Sequence, residues 1–146
     1  MQQLVHFLGP SFAPAIPHRG LVVLAPAPGE QHTLGQCLAR EFLRRSGWGV
    51  QPFTVMEEIE LLDLVATEWV DMLGFTISNE RLREPLAALI AAVRKLSRNR
   101  DLPILVGGAI DLRDFAAQHD VTLVAADPRD AVRYLELELR VRGSDG

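Results

Sequence analysis

The chain has 146 residues, of which 48% are hydrophobic and 23% are charged, a composition typical of one globular domain with a sizeable core. Nineteen acidic residues against 15 basic ones give a formal net charge of −4, which disfavours a domain that holds nucleic-acid phosphates. A single cysteine, Cys37, excludes an internal disulfide and a cysteine-rich zinc site. No apolar run is as long as a membrane span and no leader pattern opens the chain, so we expect a cytoplasmic protein without a membrane partner.

The first 19 residues carry three prolines, Pro10, Pro14 and Pro17. Prolines at this density oppose a continuous helix or a central strand. We therefore expect residues 1–19 to form an extended arm, followed by one α/β domain over residues 20–146.

From Gly20 onward, short apolar runs alternate with stretches of helical periodicity. Five runs predict strands, at Leu21–Ala25, Val50–Val55, Met72–Ile77, Ile104–Val106 and Thr122–Ala125. The first has the signature of a strand buried on both faces, whereas the second is weaker because Pro52 interrupts it. Apolar residues at helical spacing mark five helices, at Leu34–Phe42, Ile59–Trp69, Leu82–Leu96, Leu112–Ala117 and Ala131–Val141. Gly47 is expected to end the first helix, and Pro85 is tolerated in the first turn of the third.

The regular alternation of strand and helix predicts the fold. Repeated βαβ units give a parallel sheet with helices on both faces. We predict a flavodoxin-like, Rossmann-type α/β fold with five strands in the order 2-1-3-4-5. In such sheets, ligands bind beyond the carboxyl ends of the strands, where the strand order reverses. The loops after strands one, three, four and five therefore form the candidate site.

The apolar spacing also indicates which side chains pack inside. In the first helix, Cys37 lies on the apolar face with Leu34 and Leu38, so we expect it to pack in the core rather than to react. The apolar face of the second helix is marked by Ile59, Leu62, Ala66 and Trp69. Trp48 and Trp69 stand at helix ends and are expected to pack in the shell of the core.

Charged residues are concentrated at two places. Glu57, Glu58 and Glu60 begin the second predicted helix, where the helix dipole favours acidic side chains, and they also suit an acidic docking face for a partner. Basic residues are scattered over the predicted helices as solvated faces, apart from a local run over residues 94–100. We expect no direct binding to nucleic acid.

The residues needed for three common functional sites of this fold are absent from the sequence. A phospho-acceptor domain needs an Asp at the end of strand three and a Lys after strand five, but strand three ends in Thr76-Ile77-Ser78 and no Lys follows Ala125. A flavin-phosphate loop needs Ser, Thr and Gly after strand one, where this chain has Pro26-Ala27-Pro28-Gly29-Glu30. A dinucleotide site needs the spacing G-x-G-x-x-G, which this loop does not contain.

The first loop instead carries Glu30-x-His32-x-x-Gly35. Imidazole is a versatile metal ligand, and a carboxylate two residues away can accept its other N–H and raise its basicity. Gly35 allows a bulky ligand to approach the backbone closely. In the plainer interpretation, His32 is an ordinary loop histidine and Glu30 a partner of a helix dipole. The other histidines are expected to be solvated or to cap helices, at His6, His18 and His119.

At three loops the sequence resembles the cobalamin-binding domain family. Glu30 to Gly35 is similar to the family's D-x-H-x-x-G motif, and Gly74 to Ser78 stands where the family has G-x-S-x-L. Gly107-Gly108-Ala109 matches the G-G-A after strand four. The resemblance implies that His32 is the lower axial ligand of cobalt, replacing the cofactor's own base. It also implies that the displaced nucleotide tail enters the sheet beside the first helix.

The same resemblance assigns roles to the other site residues, with three departures. Glu30 replaces the family's Asp and would support His32, while Gly35 would lie close to the cofactor. Thr76 replaces the usual Ser and keeps a hydroxyl for the buried tail. Ser78 replaces Leu and makes the wall beside the tail more polar. The glycines of the third motif are expected to leave room for the tail, at Gly107 and Gly108.

Within the family, the Pro-Gly-Glu-x-His sequence resembles that of light-sensing regulators, most of all the antirepressors of photosynthesis genes in purple bacteria (the AerR/PpaA type). That resemblance implies a two-state switch in which light exchanges the upper ligand of cobalt and changes affinity for a transcriptional repressor. The cofactor is expected as adenosyl-, methyl- or hydroxocobalamin. A related domain, called SCHIC, takes haem, which is the alternative ligand.

A second class of function is a cobalamin-carrier subunit of a methyltransferase or mutase. Such enzymes need a substrate domain, commonly a barrel, and methyl carriers usually place a helical cap before the cobalamin domain. We expect no catalytic turnover from this chain alone, since it has no room for a substrate domain and residues 1–19 do not suit a cap. The sequence does not identify the oligomeric state.

Overall fold

Five parallel strands form one sheet in the order β2-β1-β3-β4-β5 in a computed structural model that describes residues 19–55 and 57–145. The strands are β1 (Leu21–Pro26), β2 (Gly49–Pro52), β3 (Met72–Thr76), β4 (Ile104–Gly107) and β5 (Leu123–Ala125). This order confirms the predicted α/β flavodoxin-like fold. The proposed arm over residues 1–19 lies outside the described residues apart from Arg19.

The helices between and after the strands are α1 (Leu34–Arg45), α2 (Glu58–Thr67), α3 (Arg83–Leu96), α4 (Arg113–Gln118) and α5 (Asp130–Asp145). Gly47 has φ +91°, a conformation that favours glycine, and follows directly on the end of α1. A 3₁₀ turn over Glu80–Leu82 precedes α3. Among the described helices, none is both long and apolar enough to cross a membrane.

Strand β1 lies inside the sheet and is buried on both sides. Val23 and Ala25 pack into one hydrophobic cluster, and Val22 and Leu24 pack into the other, as strand alternation requires. Residues of α2, α3 and α4 cover the first cluster, whereas α1 and α5 cover the second. Val22 and Val23 have no exposed surface, and burying each stabilises the fold by about 1.5–3 kcal/mol.

The predicted apolar face of α1 is wrong. Leu34 is 73% exposed and Leu38 is 42% exposed, and Cys37 is exposed as well. The inward residues are Gln36 and Leu43. Apolar residues occur all round this helix, so spacing alone did not identify the inner face. A buried Gln is tolerated because its side-chain N–H donates to the carbonyl of Phe53 at 3.2 Å.

The predicted apolar face of α2 is confirmed only at Leu62, which packs against the first hydrophobic cluster. Leu61 and Val65 point inward, while Ile59 is 80% exposed. Trp69 lies beyond the end of the helix and is 53% exposed, so it does not pack in the core. Trp48 is buried as expected, with the Arg19 guanidinium 5.5 Å from its ring centroid. The outward face of α2 therefore keeps apolar side chains on the surface.

Candidate functional site

A cavity of about 340 Å³ lies at the carboxyl ends of the strands, on the side covered by α1 and α5. Its walls come from the first turns of α1, the ends of β3 and β4, and the loop between β5 and α5. All but one of the predicted site residues line it, namely His32, Gly35, Thr76, Ser78, Gly107 and Gly108. Glu30, the exception, lies behind His32 and Ser78.

The loop after β1 is held in a tight shape by backbone hydrogen bonds. The N–H of Ala27 donates to the carbonyl of Thr76 at 2.8 Å, which ties the loop to the end of β3. The N–H of Glu30 donates to the carbonyl of Ala27 at 2.8 Å and closes a turn. Gly29 has φ +89° in this turn, where a side chain would strain the backbone. The turn aims the Glu30 side chain inward.

Glu30 is a buried carboxylate that accepts hydrogen bonds on both oxygens. The residue is only 3% exposed. Its Oε1 accepts from the N–H of Ser78 at 2.5 Å, and its Oε2 accepts from the Ser78 hydroxyl at 2.6 Å. Oε2 also accepts from the N–H of His32 at 2.9 Å. Since a buried charge needs such partners, Glu30 and Ser78 fix the loops after β1 and β3 against each other.

The pKa of Glu30 reflects this competition between burial and hydrogen bonding. Burial by itself raises the pKa of the carboxyl, because it penalises the charged form. The hydrogen bonds from the Ser78 hydroxyl, from the backbone N–H groups of His32 and Ser78, and from the His32 side chain lower it more. The net result is a pKa below the ordinary value of 4.5, so Glu30 is ionised at neutral pH.

His32 presents its ring outward from this anchor. Its Nδ1 lies 3.3 Å from Glu30 Oε2 and 3.1 Å from Ser78 Oγ. The side chain is 83% exposed, and Nε2 has no hydrogen-bond partner among the described residues. Because the carboxylate attracts a proton to Nδ1, Nε2 keeps its lone pair free for a metal. Through Nε2, His32 is therefore the residue of this loop that could hold a metal.

Two buried polar atoms at the cavity lack partners. Thr76 Oγ1 and Gln36 Oε1 are shielded from solvent and have no hydrogen-bond partner among the described residues. Both residues line the cavity. An unsatisfied buried polar atom costs about 1–3 kcal/mol, so a ligand that bonds to these atoms recovers that energy. Thr76 was predicted from the sequence, whereas Gln36 was missed; its one signal is a polar residue directly after Gly35.

The three predicted glycines differ in what surrounds them. A side chain at Gly35 would meet nothing within 4 Å, so this glycine opens directly onto free space. A Cβ at Gly107 would lie 3.1 Å from the carbonyl oxygen of Ala125, and one at Gly108 would overlap the carbonyl oxygen of Ile77 at 1.6 Å. A Cβ at Gly108 therefore has no room, whereas one at Gly107 fits only if Ala125 gives way slightly. Both glycines line the cavity, and that they leave room for a ligand's tail stays a prediction.

The role expected of Ser78 is also corrected, since its hydroxyl holds Glu30 rather than only making a wall polar. His119 lies away from the cavity, with its ring packed against Phe115 at a centroid distance of 4.6 Å and tilted by 45°. His6 and His18 fall outside the described residues. The structure thus brings together the residues of the first and second motifs around one imidazole.

The sequence matches no protein-family model. It is 34% identical over 89 residues to an uncharacterised 20.5 kDa protein in the bchF-crtJ intergenic region of Rhodobacter capsulatus. That alignment covers 61% of this chain and 46% of the relative, so the chain spans less than half of the relative's length.

Solved structures share the fold over most of the chain. A cobalamin-binding protein from Desulfitobacterium hafniense superposes with a TM-score of 0.75 at 17% identity, covering 92% of this chain and 66% of that one. The methanol:cobalamin methyltransferase complex of Methanosarcina barkeri gives 0.72 at 18% identity, covering 93% and 52%. A response regulator from Burkholderia multivorans gives 0.56 at 24% identity, covering 81% and 94%. The fold is therefore shared with cobalamin-binding proteins and with a response regulator, and the choice of ligand depends on the site residues.

Proposed function

We propose that this chain binds a cobalamin through His32 and acts as a light-responsive regulator of a transcriptional repressor, in the cytoplasm. The observation that carries the proposal is the set formed by Glu30, Ser78 and His32 beside the cavity. A buried carboxylate orients an exposed imidazole with its Nε2 free. Such an anchor suits a metal that brings its other ligands in a macrocycle.

The cavity fits the tail of such a cofactor. It extends from His32 past Thr76 to Gly107 and Gly108, and it offers the unpartnered oxygens of Thr76 and Gln36. A nucleotide tail carries hydroxyl and phosphate groups that bond to such side chains. Haem, the alternative ligand, has no tail to fill this space. When bound, a cobalamin would supply light-sensitive cobalt chemistry beside His32.

Each residue of the site has a distinct task in this proposal. Glu30 accepts a hydrogen bond from the Nδ1–H of His32 and so raises the basicity of Nε2. Ser78 donates its hydroxyl to Glu30 and holds the loops after β1 and β3 in register. Thr76 and Gln36 bind polar atoms of the tail, and Gly35 leaves the start of α1 open to it.

The regulatory half of the proposal rests on other observations. The first loop resembles those of light-sensing regulators, and the Rhodobacter capsulatus relative lies in the bchF-crtJ intergenic region. A chain with net charge −4 suits a protein partner better than DNA. The second candidate is a corrinoid carrier without turnover of its own, which the shared fold with the methanol:cobalamin methyltransferase complex favours.

Titration of the purified chain with hydroxocobalamin, followed by absorption spectroscopy, tests the ligand. We expect His32→Ala to weaken binding by more than the roughly 10- to 100-fold typical of losing a ligand's supporting partner. His119→Ala is the matched control and should bind like the wild type, since His119 packs against Phe115. Wild-type affinity and an unchanged spectrum in His32→Ala would exclude His32 as the ligand. Tight binding of haemin with no binding of cobalamin would favour the alternative ligand.

Affinity capture with the adenosylcobalamin-loaded chain, in the dark and after illumination, tests the regulatory half. We expect a DNA-binding repressor to be recovered in only one of the two states, because a switch needs different contacts in each. Recovery of a methyltransferase or mutase subunit without any light effect would favour the carrier function instead.

A further inference from the structure

A second concave surface lies on the other side of the sheet, between the edge strand β2 and helix α2. The groove has a volume of about 500 Å³. Ile59, with 80% of its surface exposed, and the partly buried Leu64 supply the apolar lining, and the buried Phe53, only 6% exposed, lies at the floor. Exposed apolar side chains in a concave surface are typical of a contact site for another molecule.

The border of this groove is acidic. Glu60, Asp63 and Glu68 line it, and each of them is exposed. Within the described part of the chain, none of the acidic side chains of residues 57–68 forms an ion pair. Arg98 approaches the end of α2, but it donates to the carbonyl of Thr67 at 3.2 Å. The carboxylates are therefore available to a partner.

The net charge of the whole chain is concentrated here. Residues 57–68 contain five of the 19 acidic residues and none of the 15 basic ones. The rest of the chain has 14 acidic and 15 basic residues, so it is close to neutral. The apolar groove is thus bordered by the segment in which the protein's net negative charge is concentrated. A partner with complementary charge must be basic.

We propose that the groove between β2 and α2 binds a Lys/Arg-rich amphipathic helix of a partner protein. Apolar side chains of that helix would contact Ile59 and the exposed part of Leu64, and its basic side chains would pair with Glu60, Asp63 and Glu68. Nucleic acid and anionic lipid carry the wrong charge for this border. A second copy of the chain would set two acidic faces against each other, and residues 1–18 contain no Lys or Arg.

This surface is separate from the cofactor cavity. Helix α2 packs on the cluster that it shares with α3 and α4, whereas the cavity lies beside α1 and α5. A partner in the groove therefore leaves His32 accessible. The proposal does not depend on any cofactor, and its failure would leave the cobalamin proposal untouched.

The test uses the full chain labelled with ¹⁵N and a synthetic helix of roughly 16 residues, with Leu at helical spacing and Lys or Arg elsewhere. A peptide with the same Leu positions and Glu for each basic residue is the control. We expect the basic peptide to shift amide signals of residues 51–68 and to bind more weakly as salt is raised. Shifts at the cavity or scattered over the surface, equal binding of the acidic peptide, or no saturable binding below about 1 mM would each overturn the proposal.

Two variants assign the contributions of charge and apolar contact. Glu60→Gln with Asp63→Asn should weaken binding by about 3- to 10-fold, as expected for two exposed ion pairs. Ile59→Ser should weaken binding by about 10-fold or more, because the apolar contact that Ile59 would bury in the complex is lost. Glu84→Gln with Asp114→Asn removes the same charge elsewhere on the surface and should leave the affinity unchanged. Equal losses in the control pair, or none in the groove variants, would contradict the proposed surface.

Discussion

Replacing Thr76 by Val should make the cofactor-free protein more stable and its binding of cobalamin weaker. Thr76 Oγ1 is buried, lines the cavity and has no hydrogen-bond partner in the part of the chain that the structure describes. Val has nearly the same shape and no hydroxyl, so it removes an unsatisfied polar atom whose burial costs about 1–3 kcal/mol. We therefore expect the free energy of unfolding to rise by about 1 kcal/mol, measured by urea denaturation without ligand.

The same substitution removes a hydrogen bond that the proposed tail would make. A hydrogen bond of this kind contributes about 0.5–1.5 kcal/mol, which corresponds to a loss of affinity of roughly 2- to 10-fold. Titration with hydroxocobalamin measures it. A stabilised variant with weaker binding is the signature of a hydroxyl kept for a ligand.

Thr122→Val is the matched control with the opposite sign. The Thr122 hydroxyl oxygen accepts from the N–H of Ile104 at 3.0 Å, so its loss leaves a backbone donor without that partner. We expect this variant to lose about 1 kcal/mol of stability and to keep its affinity for the cofactor. If Thr76→Val were destabilised as much as Thr122→Val, the Thr76 hydroxyl would have a partner in solution and the reasoning would be refuted.

Three further outcomes follow from the site. Gly108→Ala should lower stability even without ligand, because its Cβ would overlap the Ile77 carbonyl oxygen; a cofactor-free variant as stable as the wild type in urea would contradict this packing. Since the pKa of Glu30 is lowered in the folded state, its stabilising contribution is complete above the ordinary value of 4.5 and is lost as pH falls through the folded pKa. Glu30→Gln should therefore flatten the acid limb of the stability profile, and an unchanged limb would show that Glu30 is not the group involved. Ser78→Ala should raise the pKa of Glu30 and weaken cobalamin binding by roughly 10-fold, which carboxyl NMR titration and absorption titration respectively test.

The sheet could be predicted because its signal is local and repeated. Strands β1, β3, β4 and β5 are short apolar runs bounded by turn residues, β2 is a weaker one interrupted by Pro52, and βαβ connections restrict the topology, so the order followed. The faces of α1 and α2 could not be predicted, because both helices carry apolar residues on more than one side. Leu34 and Ile59 are at helical spacing in sequence and yet lie at surfaces that adjoin the cavity and the groove.

The sequence predicted which residues lie at the site better than it predicted the contacts between them. Glu30, His32 and Thr76 were identified from short motifs at strand ends, which parallel strands bring to one edge of the sheet. That Ser78 donates to Glu30, or that Gly108 faces Ile77, depends on the approach of two loops distant in sequence. Gln36 was missed because its burial results from a contact with the carbonyl of Phe53 across the fold.

Electron paramagnetic resonance of the reduced Co(II) form tests the central claim most directly. Protein with ¹⁵N-labelled histidine is mixed with unlabelled cobalamin, so that a nitrogen on the lower face of cobalt reveals its source through its nuclear spin. We expect ¹⁵N of His32 to split the cobalt lines into pairs, and we expect this splitting to be lost in His32→Ala and kept in His119→Ala. The three-line splitting of ¹⁴N would show that the cofactor's own base still occupies the lower position, and His32 would then not be the ligand.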